Sequence, residues 1–481
     1  MPSQLVVLGG GPGGYAAAFL AADMGMQVTL VEVEPRLGGT CLLRGCIPSK
    51  ALLHVAKVMS EVTELTEQWG VTYTAPAIEI DKVRSRKDKV ISTLSNGLRS
   101  LAKRRKIQVI FGRGRLQDSE TLLIEGDDAS IPAGGKLTFE NLILATGSTP
   151  AMPASFQIGS DRVMDSTGAL ALADLPEKLL VIGGGYIGLE MGTVYAQLGS
   201  QVSVVELMDG LLPGADRDLV APLEKRLKKL LGERIFLNTK VGSVADVGAQ
   251  IEVTFEGPGK FGVERFDRVL VSVGRRPCSQ NLGLENTAVT MNERGFVKVN
   301  AGMQTADPNI WAIGDVAGEP MLAHKASHEA RVAVEAILGE PTVWDKIAIP
   351  AVVFTDPEIA WAGLTETQAK RDEVAYEVAC YPWAASGRAQ AIARTDGMTK
   401  WLVQPESNRV LGCGIVGPGA GELIAEAVLA LEMGCELRDV SESIHPHPTL
   451  SETLMNAGEV HFGTATEIYK PKRKSKVGKD A

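Results

Sequence analysis

Two cysteines stand five apart in Gly38-Gly39-Thr40-Cys41-Leu42-Leu43-Arg44-Gly45-Cys46-Ile47-Pro48-Ser49-Lys50, and a thiol pair at that spacing can do redox chemistry. In a regular helix, residues five apart have Cα atoms roughly 8–9 Å apart, beyond the ~7 Å reach of a disulfide. A bridge therefore needs a helix broken between Cys41 and Cys46, and Gly45 supplies the freedom to bend. Two reduced thiols near a helix start are the alternative reading. A zinc site would bring its ligands as two nearby pairs, whereas Cys278, Cys380, Cys413 and Cys435 stand singly, so no metal is expected. Near the other end, His445-Pro446-His447-Pro448-Thr449-Leu450-Ser451-Glu452 offers two imidazoles and a carboxylate. An imidazole titrates near neutral pH, and a glutamate bonded to its second nitrogen fixes the tautomer and raises basicity.

The cysteines follow a strand-turn-helix-strand pattern. Leu5–Leu8 is an apolar strand, Gly9-Gly10-Gly11-Pro12-Gly13-Gly14 opens an alanine-rich helix, and Val28–Val31 is a second strand ending at Glu32. Gly9, Gly11 and Gly14 permit a tight turn, a close approach of pyrophosphate and close helix packing, and Glu32 can accept ribose hydroxyls. The pattern returns at Leu179–Ile182, with Gly183, Gly185 and Gly188 in the turn and Val202–Val205 ending at Glu206. A carboxylate about 4 Å from a 2′-phosphate would cost roughly 1–4 kcal/mol, and no arginine follows Glu206 within five positions, so the second site is expected to take NAD. FAD is assigned to the first site, beside the cysteines. Leu142–Leu144 ending in Ala145-Thr146-Gly147-Ser148 reads as the strand closing the first half, and Val269–Val273 followed by Gly274-Arg275-Arg276-Pro277 closes the second. Ile310-Trp311-Ala312-Ile313-Gly314-Asp315 is a further strand ending in an acid, where Asp315 could bond a ribityl chain or cap a helix.

At 481 residues the chain is too long for one core, and 52 glycines with 5% aromatics suit a turn-rich α/β protein. A formal charge of −9 argues against general nucleic-acid binding. No apolar run reaches the ~18 residues of a membrane span. The short apolar start lacks a basic flank and runs straight into the glycines, so it reads as a first strand and the chain as cytoplasmic. Six cysteines are no secretory framework, which makes a disulfide here catalytic. The expected division is 1–150 as the first part of an FAD domain, 151–276 an NAD domain, 277–346 a return to the FAD domain and 347–469 an α+β domain. Residues 470–481 form a basic, flexible tail.

From Leu5 to about Glu452 these residues closely resemble the flavin-dependent pyridine nucleotide-disulfide oxidoreductases. Gly39-Thr40-Cys41 with Gly45-Cys46-Ile47-Pro48-Ser49-Lys50 looks like the redox motif in its lipoamide form; glutathione reductases usually carry a second lysine where Ser49 stands. Met321–Ala326 and Trp383–Ala389 also resemble the lipoamide branch. Mercuric and large thioredoxin reductases add a redox pair near the C-terminus, and this chain has no cysteine after Cys435. One departure is Leu43, where the family usually has asparagine. Arg44 is a less common choice at a variable position; it could favour a nearby thiolate, as basic neighbours do, but is expected to point into solvent.

The resemblance implies an α/β fold of two interleaved Rossmann-like domains plus a C-terminal α+β dimerisation domain. It implies oxidation of protein-bound dihydrolipoamide through a Cys41–Cys46 disulfide, with Cys41 meeting the substrate thiolate, Cys46 facing the flavin and NAD as acceptor. His447 would be the base and Glu452 its orienting carboxylate, facing the disulfide of the other subunit of a homodimer; His445 would be structural. Lys50 and Glu190 match an ion pair beside the flavin. Gly114, Thr146, Asp315 and Ala323 would contact FAD, and Val241 and Gly274 would line the NAD site. Implied partners are lipoyl domains and the acyltransferase subunit of 2-oxo acid dehydrogenase complexes, or the lipoyl carrier of glycine cleavage. A glutathione-type reductase and a catalytically retired flavoprotein scaffold are the competing readings.

Overall fold

The computed structural model describes residues 3–74 and 76–469, and the basic tail lies outside them. The first half runs β1 (Ser3–Leu8), α1 (Pro12–Asp23), β2 (Val28–Glu32), α2 (Gly39–Arg44), α3 (Cys46–Trp69), α4 (Ile80–Arg104), β3 (Gln108–Phe111), β4 (Arg113–Asp118), β5 (Thr121–Glu125), β6 (Lys136–Leu144) and β7 (Ser148–Pro150). β1 is central and pairs in parallel with β2 and β6, so Leu5, Val6, Val7 and Leu8 are all buried. α1 lies close to its neighbours because Gly13, Gly14, Ala17, Ala18 and Ala21 line its buried face.

The second half is β8 (Val163–Met164), α5 (Ser166–Ala171), β9 (Lys178–Ile182), α6 (Tyr186–Gln197), β10 (Gln201–Val205), α7 (Arg217–Leu231), β11 (Ile235–Phe236), β12 (Lys240–Asp246), β13 (Ile251–Glu256), β14 (Gly262–Phe266), β15 (Arg268–Val271) and β16 (Arg275–Pro277). Its five-stranded parallel sheet has the order β11-β10-β9-β15-β8. The first sheet has the matching order β3-β2-β1-β6, completed by β17 (Ile310–Ala312) alongside β6. The first sheet extends antiparallel from β6 through β5 to β4, and the second is accompanied by a separate antiparallel sheet, β12-β13-β14. One architecture thus occurs twice. β7 pairs antiparallel with β16, Pro150 against Arg275 and Ser148 against Pro277, where the chain leaves the first fold and re-enters it.

After β17, α8 (Ala323–Ile337) packs on α1. The last region holds β18 (Ala351–Val353), β19 (Glu358–Gly363), α9 (Glu366–Arg371), β20 (Glu377–Pro382), α10 (Gly387–Ala391), β21 (Met398–Val403), β22 (Val410–Gly417), α11 (Ala420–Glu432), α12 (Leu437–Glu442) and α13 (Glu452–Phe462). Its antiparallel sheet has the order β18-β19-β22-β21-β20, with a core around Trp383, Trp401 and Tyr381. Among the described residues no helix is long and apolar enough to cross a membrane.

Candidate active site

The helix break expected between the cysteines is present. α2 ends at Arg44 and α3 begins at Cys46, with Gly45 between them at φ −143°, ψ −114°. A Cβ on Gly45 would stand 2.8 Å from the Thr40 carbonyl oxygen, so the bend admits glycine and little else. Cys41 and Cys46 are two free thiols in hydrogen-bond contact. Donation from Cys41, reinforced by the Lys50 charge, overcomes burial and pulls Cys46 down to about 7. Cys41 moves the other way, pushed up by its hydrogen bond to Cys46 and by burial. The two thiols are therefore unequal: Cys41 holds its proton the more tightly, and Cys46 is the first to give its proton up.

The pair opens onto a cleft of about 1020 Å³ that runs along the first dinucleotide fold. Lys50 Nζ donates to both Glu190 oxygens at 3.0 and 3.2 Å and lies 4.2 Å above the Phe354 ring. Phe354 N–H also donates to Glu190, at 3.1 Å. Glu190 belongs to α6 of the second fold, yet it lines this first cleft beside Cys46. Gly9, Gly11, Glu32, Gly114, Thr146, Asp315 and Ala323 line it as well.

The two glycine loops share one geometry. Gly9 and Gly183 adopt φ of +111° and +108°, and Cβ atoms on Gly14 and Gly188 would stand only 1.7 and 2.1 Å from the carbonyl oxygens of Gly9 and Gly183. A Cβ on Gly185 would meet nothing within 4 Å, and one on Gly11 only the Gly39 Cα at 3.7 Å. The space left by the middle glycines is where a pyrophosphate would approach bare backbone. Glu32 accepts N–H donation from Gly10 at 2.5 Å and Glu34 at 2.8 Å; Glu206 accepts from Gly184 at 2.6 Å and Met208 at 2.8 Å. Both carboxylates are thus locked at the ends of their strands, and the residues present fit two dinucleotides. Val241 and Gly274 lie outside the large cleft, Val241 packed half-buried near the Phe255 core and Gly274 at φ +124°.

One expectation changes on contact with the structure, and two expected cofactor contacts prove to have protein partners as well. Arg44 does not point free into solvent: its Nη2 donates to Glu34 Oε1 at 2.6 Å. Asp315 caps no helix but accepts the Ser148 hydroxyl at 2.5 Å, while Arg275 Nε donates to Ser148 Oγ at 2.7 Å. The Thr146 hydroxyl is occupied by the Cys278 carbonyl at 2.7 Å. Phe354 and Ser148 were not legible as site residues, since one lies far along the chain and the other is a small polar residue after a turn. Nothing in the structure explains Leu43.

His447 Nδ1 and Glu452 Oε1 are 2.9 Å apart, and Thr449 N–H donates to Glu452 Oε2 at 2.8 Å. His445 is held instead by Glu426 at 2.8 Å and the Ser443 carbonyl. The His447 side chain is 77% exposed and does not line the cleft of its own chain. One chain therefore brings together the thiols, Lys50 and Glu190, but leaves the dyad apart from them.

Residues 3–330 match the pyridine nucleotide-disulphide oxidoreductase family, and residues 349–457 match that family's dimerisation domain. Curated relatives named dihydrolipoyl dehydrogenase include those of Vibrio cholerae, 46% identical over 98% of both chains, and Haemophilus influenzae, 45% identical over 99% of this chain and 98% of the relative. Among solved structures, LpdA from Mycobacterium tuberculosis superposes with TM-score 0.86 at 27% identity, over 95% of this chain and 99% of that one. The Cu(II) complex of the HOCl-induced flavoprotein disulfide reductase RclA from Escherichia coli gives 0.84 at 29%, over 96% and 99%. With a thiol pair set between two dinucleotide folds and these matches spanning nearly its whole length, the chain belongs to the pyridine nucleotide-disulphide oxidoreductase family and uses FAD and NAD.

Proposed function

We infer that this chain oxidises protein-bound dihydrolipoamide to lipoamide and reduces NAD, as a dihydrolipoyl dehydrogenase. The observation that carries the reading is the unequal Cys41–Cys46 pair beside the Lys50–Glu190 ion pair, in a chain 46% identical to enzymes of that name. When bound, FAD supplies the two-electron link between the dithiol and NAD.

In the disulfide state a substrate thiolate attacks the Cys41 sulfur. The bond to Cys46 breaks, and Cys46 leaves as a thiolate, the better leaving group because its pKa is the lower of the two. The second substrate thiol then attacks the substrate sulfur of the mixed disulfide and releases Cys41. His447, oriented by Glu452, takes the proton from the substrate thiol. Its exposure outside the cleft supports a site completed by a second copy of the chain, through the dimerisation segment 349–457. The lipoyl domains and acyltransferase of a 2-oxo acid dehydrogenase complex, or the lipoyl carrier of glycine cleavage, are the partners this chemistry requires.

The division at 150/151 and 276/277 follows the β7–β16 pairing, which lets the NAD fold be inserted as a unit. The test is turnover with dihydrolipoamide and NAD against turnover with glutathione disulfide and NADPH. Activity with the second pair alone would make the chain a glutathione-type reductase, and activity with neither would make it a retired scaffold.

A further inference from the structure

Arg44 lies between the two cysteines in sequence, yet the ionisation of Cys46 is governed by its hydrogen bond from Cys41, by burial, and by the Lys50 and Glu190 charges. What Arg44 does hold is Glu34, at 2.6 Å, with side chains 36% and 33% exposed. Glu34 stands two residues past Glu32, and its N–H donates to Glu32 Oε1 at 2.8 Å. Glu32 Oε2 in turn takes the N–H of Gly10, in the first glycine loop, at 2.5 Å. At the other end of α2, Gly38 N–H donates to the Gly10 carbonyl at 2.9 Å, and a Cβ on Gly39 would stand 2.5 Å from the Gly11 Cα. The short helix that carries Cys41 is therefore tied at both ends to the loop that receives the dinucleotide. Arg44, Glu34, Glu32 and Gly10 all line the cleft.

We propose that the Arg44–Glu34 pair is a clasp across the adenosine end of the FAD cleft, positioning α2 against the cofactor and slowing its release. The proposal rests on the reading that FAD occupies the first fold with its ribose at Glu32. Arg44 and Glu34 line the same cleft as Glu32, and in this proposal release of a cofactor held at Glu32 parts the loop at Glu34 from the helix end at Arg44. The ion pair opposes that movement. Arg44 is thus a positioning residue and touches neither reacting sulfur.

The experiment is FAD release from the purified holoenzyme, followed as the rise in flavin fluorescence after dilution. Arg44→Gln and Glu34→Gln are each expected to speed release about fivefold, the scale of a half-exposed charge pair. Arg44→Lys is expected to keep most of the slow release, and the charge exchange R44E with E34R to restore it. Added salt should speed release from the wild type and leave the two neutral variants nearly unchanged. The Cys46 alkylation midpoint of Arg44→Gln is expected to stay near that of the wild type. Release within twofold of wild type in both neutral variants would overturn the clasp, as would a charge exchange whose effect is the sum of the two single changes. An upward move of the Cys46 midpoint in Arg44→Gln would place Arg44 on the thiol instead. A wild-type protein that purifies without flavin would count against the cofactor assignment rather than the clasp.

Discussion

Lys50 and Glu190 are 140 positions apart in sequence, yet Lys50 Nζ lies 3.0 Å from Glu190 Oε2 beside the Cys46 sulfur. The two charges act on that sulfur in opposite directions, Lys50 lowering its pKa and Glu190 raising it. Removing the cation should therefore raise the Cys46 midpoint above about 7. In Lys50→Met, alkylation of the reduced protein at pH 7 is expected to slow about fivefold, as a rise of ~1 in pKa requires. An unchanged pH profile would contradict the electrostatic role of Lys50.

Cys41 contributes more than a bond partner. Its hydrogen bond is the largest influence holding Cys46 ionised. Cys41→Ala should abolish lipoamide turnover and also move the Cys46 midpoint upward, whereas Cys46→Ser should remove the group titrating near 7 altogether. Titration of iodoacetamide reactivity from pH 5 to 10 separates the two outcomes.

The exposed His447–Glu452 dyad has no partner in its own cleft, so its loss should affect substrate deprotonation alone. His447→Gln is expected to lose ~10²- to 10⁴-fold in dihydrolipoamide oxidation. NADH oxidation by an artificial electron acceptor, which needs no thiol base, should survive. Equal loss in both assays would remove the dyad from thiol chemistry.

Glu206 is fixed by two backbone N–H groups at 2.6 and 2.8 Å, so its charge cannot swing away from a 2′-phosphate. Glu206→Gln should raise the NADP-to-NAD ratio of kcat/KM by about fivefold to several hundredfold, the range given by ~1–4 kcal/mol of repulsion. Steady-state kinetics with both nucleotides would show it.

Lys400 is buried at 1% exposure among Asp216, Asp218 and Glu366, at 3.0, 2.7 and 2.8 Å, joining α7 to the C-terminal sheet. Lys400→Met removes the buried cation these carboxylates share and should cost about 3 kcal/mol of stability at neutral pH, the low end for a buried pair, since Asp216 keeps the Glu366 and Thr367 N–H donors, Glu366 keeps Tyr376 and Lys370, and Asp218 is 40% exposed. Burial opposes ionisation of Asp216 and Glu366, but the Glu366 and Thr367 N–H groups with Lys400 hold Asp216 below its usual 3.8, and Lys400 with the Tyr376 hydroxyl and Lys370 holds Glu366 below its usual 4.5. A depressed carboxyl stabilises the fold fully above its unfolded value, and that contribution is lost as pH falls through the folded value. The stability gap between Lys400→Met and the wild type should accordingly be fully present at neutral pH and shrink as pH falls through these carboxyls' folded values, as read by denaturant unfolding followed by circular dichroism at each pH.

Much of this protein was legible in local sequence. The two glycine loops, the strands before and after them, and the carboxylates Glu32 and Glu206 are specified within about thirty residues each, because turn geometry and apolar runs are short-range properties. The break at Gly45 follows from covalent reach once the two cysteines are taken to bridge in one state of the cycle. The pairing of His447 with Glu452 comes from the family resemblance, with the chemistry of an imidazole beside a carboxylate supporting it. Tertiary structure decided what depended on distant segments meeting. It placed Glu190, from the second fold, in the first cleft, with Phe354 beneath Lys50, and it turned Arg44 from an expected solvent-facing charge into a partner of Glu34. It also made the two thiols unequal, since that inequality comes from the directed hydrogen bond between them and from Lys50 and Glu190 closing on one sulfur. The strength and direction of such contacts depend on packing between elements remote in the chain, and a residue's type and spacing carry no record of it.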